Sequence, residues 1–186
     1  MSRQTLLFGL LFLVALVAWQ LGKVELVPEA KVKTEHYQPD FVARDLVTTR
    51  FDVNGKRTER LESRYAEYFQ ILEQATFEKP VVYMFDEQGQ AEWKVTAETG
   101  VLNTDDNVIL RDKVHLDGLL PDSFISKLDT PYMELDLVTQ DVRSNRQVNI
   151  LGQDFQTEGV GLKGHLDRKY FELLDQGHAI YFNEKR

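Results

Sequence analysis

Gln90–Glu98, QAEWKVTAE, puts Ala91, Trp93, Val95 and Ala97 on one side of an extended chain and Gln90, Glu92, Lys94, Thr96 and Glu98 on the other. That alternation belongs to a β-strand with one face in a core and one in water. Similar segments recur at Phe77–Phe85, Asn107–Leu116, Tyr132–Thr139, Gln147–Leu151, Tyr170–Leu174 and His178–Phe182. Turn chemistry separates them. Asn54-Gly55 fits a two-residue hairpin, Asp86–Gly89 a longer one, and Asn103–Asn107 and Arg143–Arg146 are polar breaks. Glu59–Ala75 carries Leu61, Tyr65, Tyr68 and Leu72 at a spacing that also suits a helix, and is read as strands. The pairs Ile71-Leu72, Ile109-Leu110, Ile150-Leu151 and Leu173-Leu174 each precede a polar step and another extended segment, a loose repeat of hairpins. Hairpins with no helix between them predict an all-β antiparallel meander whose sheet rolls over on itself and keeps open, unpaired ends.

Upstream, Leu6–Trp19 reads LLFGLLFLVALVAW, and no charge falls between Arg3 and Lys23. As a helix that interval spans roughly 28 Å, about the hydrocarbon thickness of a bilayer. A cleaved signal peptide also begins with a positive charge and an apolar stretch, but small residues are wanted at both positions before a cut. Ala18 has Leu16 two residues earlier, Ala15 has Leu13, and Gly22 has Gln20. Trp19 followed by Gln20 reads as an interfacial anchor. The expected organisation is a tail and transmembrane anchor over 1–22, an extended tether over 23–40 and a β domain over 41–186. A long domain behind a short N-terminal tail is usually translocated, which favours an outward-facing domain.

The chain carries 22 Lys and Arg against 30 Asp and Glu, a net charge of −8. That sign disfavours nucleic acid as a partner and also electrostatic docking on anionic lipid. Without cysteine there is no disulfide, thiolate zinc site or cysteine nucleophile. The four histidines, His36, His115, His165 and His178, lack metal-ligand spacing. His115-x-Asp117 and His165-x-Asp167 read as surface pairs rather than proton relays, since residues two apart on a strand share a face. Gly159, Gly161 and Gly164 satisfy G-x-G-x-x-G, but the following HLDRKYFELL reads as turn and strand where a dinucleotide site needs a helix. Those glycines are expected to relieve a bulged or crowded strand. Ser123 and Ser126 lack the strand-to-helix elbow of a hydrolase serine. No catalytic constellation and no cofactor motif emerges.

What stands out is bulk in the strands: Phe77, Tyr83, Phe85, Trp93, Phe155, Tyr170, Phe171, Tyr181 and Phe182. These residues suit either an ordinary filled core or an apolar groove for an acyl chain, and the pattern alone leaves both open.

Three stretches add a resemblance: LLPDS at Leu119–Ser123, DLVTQDV at Asp136–Val142 and ILGQDFQTEGVGLKG at Ile150–Gly164. Behind an anchor and tether, they resemble the LptC family, bitopic inner-membrane components of the lipopolysaccharide export machinery of Gram-negative bacteria. The resemblance implies a half-open, twisted antiparallel β-jellyroll of the OstA/LptA-like type, facing the periplasm from a single-pass inner-membrane anchor. It implies transport rather than catalysis. Lipopolysaccharide would pass from the LptB2FG ABC transporter, along an apolar interior, to LptA, which would extend the sheet at the C-terminal edge. Phe77 matches a lipid-path aromatic of the family, and Leu46 and Phe171 align with path positions more loosely. Gly152 matches the glycine of the L-x-G step, where a side chain is expected to push backbones apart; Gly152→Arg should then fail to assemble with the transporter. Tyr170–Phe182, with Tyr170, Leu173, Ile180 and Phe182, would form the strand meeting LptA. Open edges also allow isolated domains to pair as a homodimer. The competing expectation is an anchored adaptor that assembles envelope complexes by edge pairing and binds no lipid.

Overall fold

The computed structural model describes residues 38–182, all within one compact unit, Tyr37–Arg186. The expected anchor over 1–22, nearly all of the tether and His36 lie outside the described residues. Among the described residues no helix is long and apolar enough to cross a membrane. The segment is all-β: β1 (Phe41–Phe51), β2 (Arg57–Phe69), β3 (Gln74–Glu78), β4 (Val81–Phe85), β5 (Ala91–Thr96), β6 (Thr99–Leu102), β7 (Asn107–Gly118), β8 (Ile125–Asp136), β9 (Asp141–Gly152), β10 (Phe155–His165) and β11 (Tyr170–Tyr181).

All pairings are antiparallel within one 11-stranded sheet, and sequence neighbours are sheet neighbours except β3 and β4 and β5 and β6. β3 and β4 together make one broken strand, as do β6 and β5: β2 pairs with β4 through Glu62↔Val81 and with β3 from Tyr65↔Glu78. The segment read as one strand over Phe77–Phe85 is therefore interrupted. Lys79 has φ +51°, and Pro80 has no N–H to give a ladder. Ile71-Leu72 falls in the β2–β3 turn, with Ile71 78% exposed, while the other three pairs lie in strands, so the loose repeat has no structural counterpart. Asn54-Gly55 also differs from expectation. Its loop runs over Asp52–Lys56, with Gly55 at φ +78°. Asp52 Oδ1 accepts from the amides of Asn54 and Lys56 at 2.8 Å each, and Asp86 does the same for Gln88 (2.9 Å) and Gln90 (2.8 Å). One turn design thus closes both hairpins.

A crease crosses the sheet, partway along the long strands and between the half-strands β3 and β4 and β5 and β6. It passes Asp45 (φ +49°), Lys79-Pro80, Asp112 and Lys113 (φ +62° and +50°), Pro131, Gly161 (φ +78°) and Gln176 (φ +51°), and registers shift along this line between β7 and β8, β8 and β9, β9 and β10, and β10 and β11. Left-handed residues and bulges bend a strand and raise its twist, so the line folds the sheet onto its own inner face. Ladder bonds lost there are replaced by buried hydroxyls. Ser63 Oγ lies 2.8 Å from the carbonyl oxygens of Tyr65 and Glu78. Thr130 donates to the Gln147 carbonyl at 2.9 Å and meets the Ser144 hydroxyl at 3.1 Å. Because a buried unpaired carbonyl costs about 1–3 kcal/mol, these three hydroxyls decide whether the crease is tolerable.

The two flaps close over one core: Val82, Met84, Trp93, Val95, Val108, Leu110, Val114, Leu116, Ile125, Leu128, Met133, Leu135, Val142, Val148, Ile150, Leu162 and Leu166. Trp93, Val95 and Ala97 of QAEWKVTAE all point into it. β1 and β11 each pair on one side only, so the sheet keeps both free ends expected of a half-open jellyroll.

Candidate functional site: apolar grooves at the two ends of the sheet

The inner face is filled in the middle and hollow at both ends of the strand order. At the N-terminal end a groove of about 390 Å³ is lined by Phe41, Ala43, Leu46, Leu61, Phe77 and Leu102, among others. Alternation alone would put Leu46 on the opposite face from Ala43; the left-handed Asp45 reverses it, so Phe41 and Ala43, then Leu46 and Thr48, all face inward. A smaller recess of about 140 Å³ continues past Phe77 and Leu61 to Pro80, Val82, Val108 and Leu137. Its inner end holds Glu59, 8% exposed, whose Oε2 lies 3.4 Å from Arg50 Nε; Arg50 also binds Asp106 of the β6–β7 turn. Burial pushes the Glu59 carboxyl above its ordinary range, with Arg50 opposing the shift and Asp106 adding to it.

At the C-terminal end a groove of about 630 Å³ is lined by Phe124, Ile125, Phe155, Phe171, Leu173 and Tyr181 with their neighbours. Phe155 stacks between Phe124 (centroids 4.9 Å apart) and Tyr181 (6.3 Å), and Phe171 meets the edge of Trp93 at 5.9 Å. Leu61 and Leu102 of one groove and Phe155, Phe171 and Leu173 of the other pack against the same core. The domain thus offers an apolar surface at each end of a closed centre.

The site residues named from sequence fall into distinct places. Leu46 and Phe77 share the N-terminal groove, Phe77 being only 5% exposed, while Phe171 and Leu173 share the C-terminal one. Gly152 lines neither. It is buried at the end of β9, and a Cβ there would meet the Phe155 ring at 2.1 Å, so the obstacle is an aromatic side chain rather than the neighbouring backbone expected. Tyr170 and Ile180 sit on β11 facing away from the groove, 56% and 52% exposed; Phe182 follows the strand, its amide donating to the Asp154 carbonyl at 2.8 Å. Phe124 carries little signal in the sequence, since it precedes β8 outside any alternating run and is marked only as an aromatic beside Ile125. Gly159, Gly161 and Gly164 lie in β10, where Gly161 carries the bulge and a Cβ on Gly159 would come within 2.9 Å of the Asp175 carbonyl, as a crowded strand requires. The His115-x-Asp117 pair is not formed. His115 Nδ1 binds Asp129, its register partner on β8, and Lys127 Nζ joins at 3.2 Å. Burial of Asp129 is outweighed by those two hydrogen bonds, and its carboxyl titrates below the ordinary range. His165 Nδ1 accepts from the Arg168 amide at 3.2 Å. No group of three metal-ligating side chains occurs among the described residues.

Comparison with known proteins agrees with this architecture. The lipopolysaccharide-assembly, LptC-related family model matches residues 7–182. The lipopolysaccharide export system protein LptC of Escherichia coli K12 is 28% identical over 171 residues, covering 92% of this chain and 90% of the relative. The Haemophilus influenzae protein of the same name is 26% identical over 196 residues, covering 96% and 94%. Among solved structures, LptH, the LptA-homologous periplasmic component of the lipopolysaccharide transport device of Pseudomonas aeruginosa, superposes with a TM-score of 0.56 at 15% identity, covering 67% of this chain and 95% of that one. The fold is thus shared with an LptA-like protein, and the sequence match spans nearly the whole chain: this protein belongs to the LptC-related family of lipopolysaccharide assembly.

Proposed function

We propose that this domain receives the acyl chains of lipopolysaccharide in its N-terminal groove and releases them from its C-terminal groove, as one station of an export path. Family membership and an LptA-like fold support a role in lipopolysaccharide transport. The finer reading rests on one observation, an apolar groove at each end of the strand order with both abutting a common core. Moving an acyl chain through water costs about 0.8 kcal/mol per exposed methylene, so a surface that keeps methylenes covered lowers the barrier without bond chemistry. The anchor over Leu6–Trp19 would hold the domain at the periplasmic surface of the inner membrane. An LptB2FG transporter would supply lipid and energy, and LptA would add a strand to the free β11 edge.

A photoreactive residue at Leu46 or Phe77, and another at Phe171, tests this in exporting cells. Crosslinks to lipopolysaccharide at both ends are expected, with those at Phe171 requiring ATP hydrolysis upstream. Normal export with no adduct at any of the three positions overturns the reading. One observation favours a lipid-free adaptor instead: Val95, Leu110, Leu116 and Leu128 are fully buried and close the centre. The same experiment separates the two, since an adaptor assembles complexes without any adduct.

A further inference from the structure

The outer face of the C-terminal strands carries a charge arrangement that the packing does not explain. Across the sheet runs one register row, Glu134↔Arg143↔Lys163↔Glu172. Arg143 and Lys163 stand directly opposite each other on β9 and β10, and like charges in that position destabilise a sheet. The flanking carboxylates do not neutralise them. Glu134 accepts the Tyr132 hydroxyl, and Glu172 accepts the Tyr170 hydroxyl at 3.1 Å, each bond running along its own strand. Arg168, in the β10–β11 turn, adds a third cation to the same hollow of about 290 Å³, which His165, Tyr170, Asp141 and Glu172 also line. Among the described residues, the ion pairs within 4 Å involve none of Arg143, Lys163 and Arg168. Three cations without a close ion pair, Arg143 acting only at longer range on Asp136, thus converge on a chain of net charge −8.

We infer that Arg143, Lys163 and Arg168 form a binding site for a phosphate monoester, the phosphorylated headgroup of an amphiphile whose chains lie in the C-terminal groove. The inference rests on the lipid-transport reading of that groove. A phosphate presents three acceptor oxygens, which match one or two planar guanidinium forks and an ammonium. Position makes the combination work. Phe171 and Leu173 line the groove on one face of β11, Tyr170 and Glu172 alternate to the other, and Lys163 is a single strand, about 5 Å, in from the free edge. While no partner strand occupies that edge, as in the chain by itself, an amphiphile lying over it keeps its chains inside and its phosphate outside.

The test uses the full chain in maltoside micelles, titrated with lipopolysaccharide, with the same lipopolysaccharide after phosphatase treatment, and with inorganic phosphate. The intact lipid should bind at least about tenfold more tightly than the dephosphorylated one, as expected for charge-assisted contacts. R143Q/K163Q should abolish the preference, and R143K/K163R should keep most of it. Relief of the opposed charges makes R143Q/K163Q at least as heat-stable as the parent, which a melting curve checks. Equal binding of the two lipids by the parent chain, with photo-adducts at Phe171 intact, overturns the phosphate site and leaves the groove reading standing. Binding of neither lipid, with no adducts, overturns both; inorganic phosphate that then raises the melting temperature of the parent but not of R143Q/K163Q would identify a free anion as the ligand.

Discussion

Gly152→Ala isolates the packing that shapes the C-terminal groove. The new Cβ would fall 2.1 Å from Phe155 Cε1, 2.5 Å from Cδ1 and 2.6 Å from Cζ. Carbon atoms settle at about 3.5–4.0 Å, so the ring must retreat by more than about 1 Å. It cannot do so freely, because Phe124 and Tyr181 hold it from two sides, each contact worth about 0.5–1.5 kcal/mol beyond buried area. Phe155 is only half-buried and can swing towards solvent, which places the cost at about 2 kcal/mol, inside the usual 1–3 kcal/mol for overpacking. For a domain near 150 residues that corresponds to a melting temperature lower by roughly 5–8 °C. A double-mutant cycle in urea, followed by far-ultraviolet circular dichroism of the full chain in micelles, measures it. With the ring removed by Phe155→Ala, adding Gly152→Ala should cost under about 0.5 kcal/mol. A cost near 2 kcal/mol in both backgrounds would refute the argument, because the obstacle would then be something other than the ring.

Thr130→Val keeps shape but strips the hydroxyl that meets Gln147 and Ser144, and should cost about 2 kcal/mol in urea unfolding, with Ser144→Ala costing little more in that background. Gly161→Ala puts a side chain at φ +78° and 3.1 Å from Leu174, and should cost at least about 1–2 kcal/mol in the same assay. Glu59 has its pKa raised by burial, so ionising it is less favourable in the folded chain than in the unfolded one. Its contribution is greatest below the ordinary carboxylate range and is lost as pH rises through the raised value. Glu59→Gln should therefore gain thermal stability relative to the parent as pH is raised from about 4 to 7; a difference independent of pH would contradict this.

Strand content was legible wherever alternation was unbroken, and QAEWKVTAE became β5 with Trp93 and Val95 buried as read. The segments that were shortened or missed all meet the crease. Tyr132–Thr139 covers the half of β8 beyond Pro131 and runs on into the β8–β9 turn, Gln147–Leu151 lies in the half of β9 beyond Ser144, and Tyr170–Leu174 and His178–Phe182 are the two sides of β11 around Gln176. β1 was not read because Asp45 reverses which residues face inward, and β10 was not because buried Gly159 and Gly161 give way to buried Leu162. A period of two cannot be recognised across a residue that inverts its phase, as on β1, β8 and β10; β9 keeps its phase but is masked by the exposed run Asn145–Gln147. Leu46 and Phe77 shared a groove that spacing could not have joined, since β1 reaches β3 only across β2. Phe155 above Gly152 was hidden for another reason, being a contact between a strand end and the residue just past the following turn.

The left-handed Gln176 sits on β11, whose outer edge is free. Any strand laid along that edge meets a template broken partway by one extra residue, with Tyr170–Asp175 on one side and Gly177–Tyr181 on the other, although Phe171, Leu173, Ala179 and Tyr181 keep the same face throughout. A guest strand must pair with one run alone or shift its register between the two. The crease thus leaves a notch in the free edge, and a strand added there would be sorted by conformation before any side chain is compared.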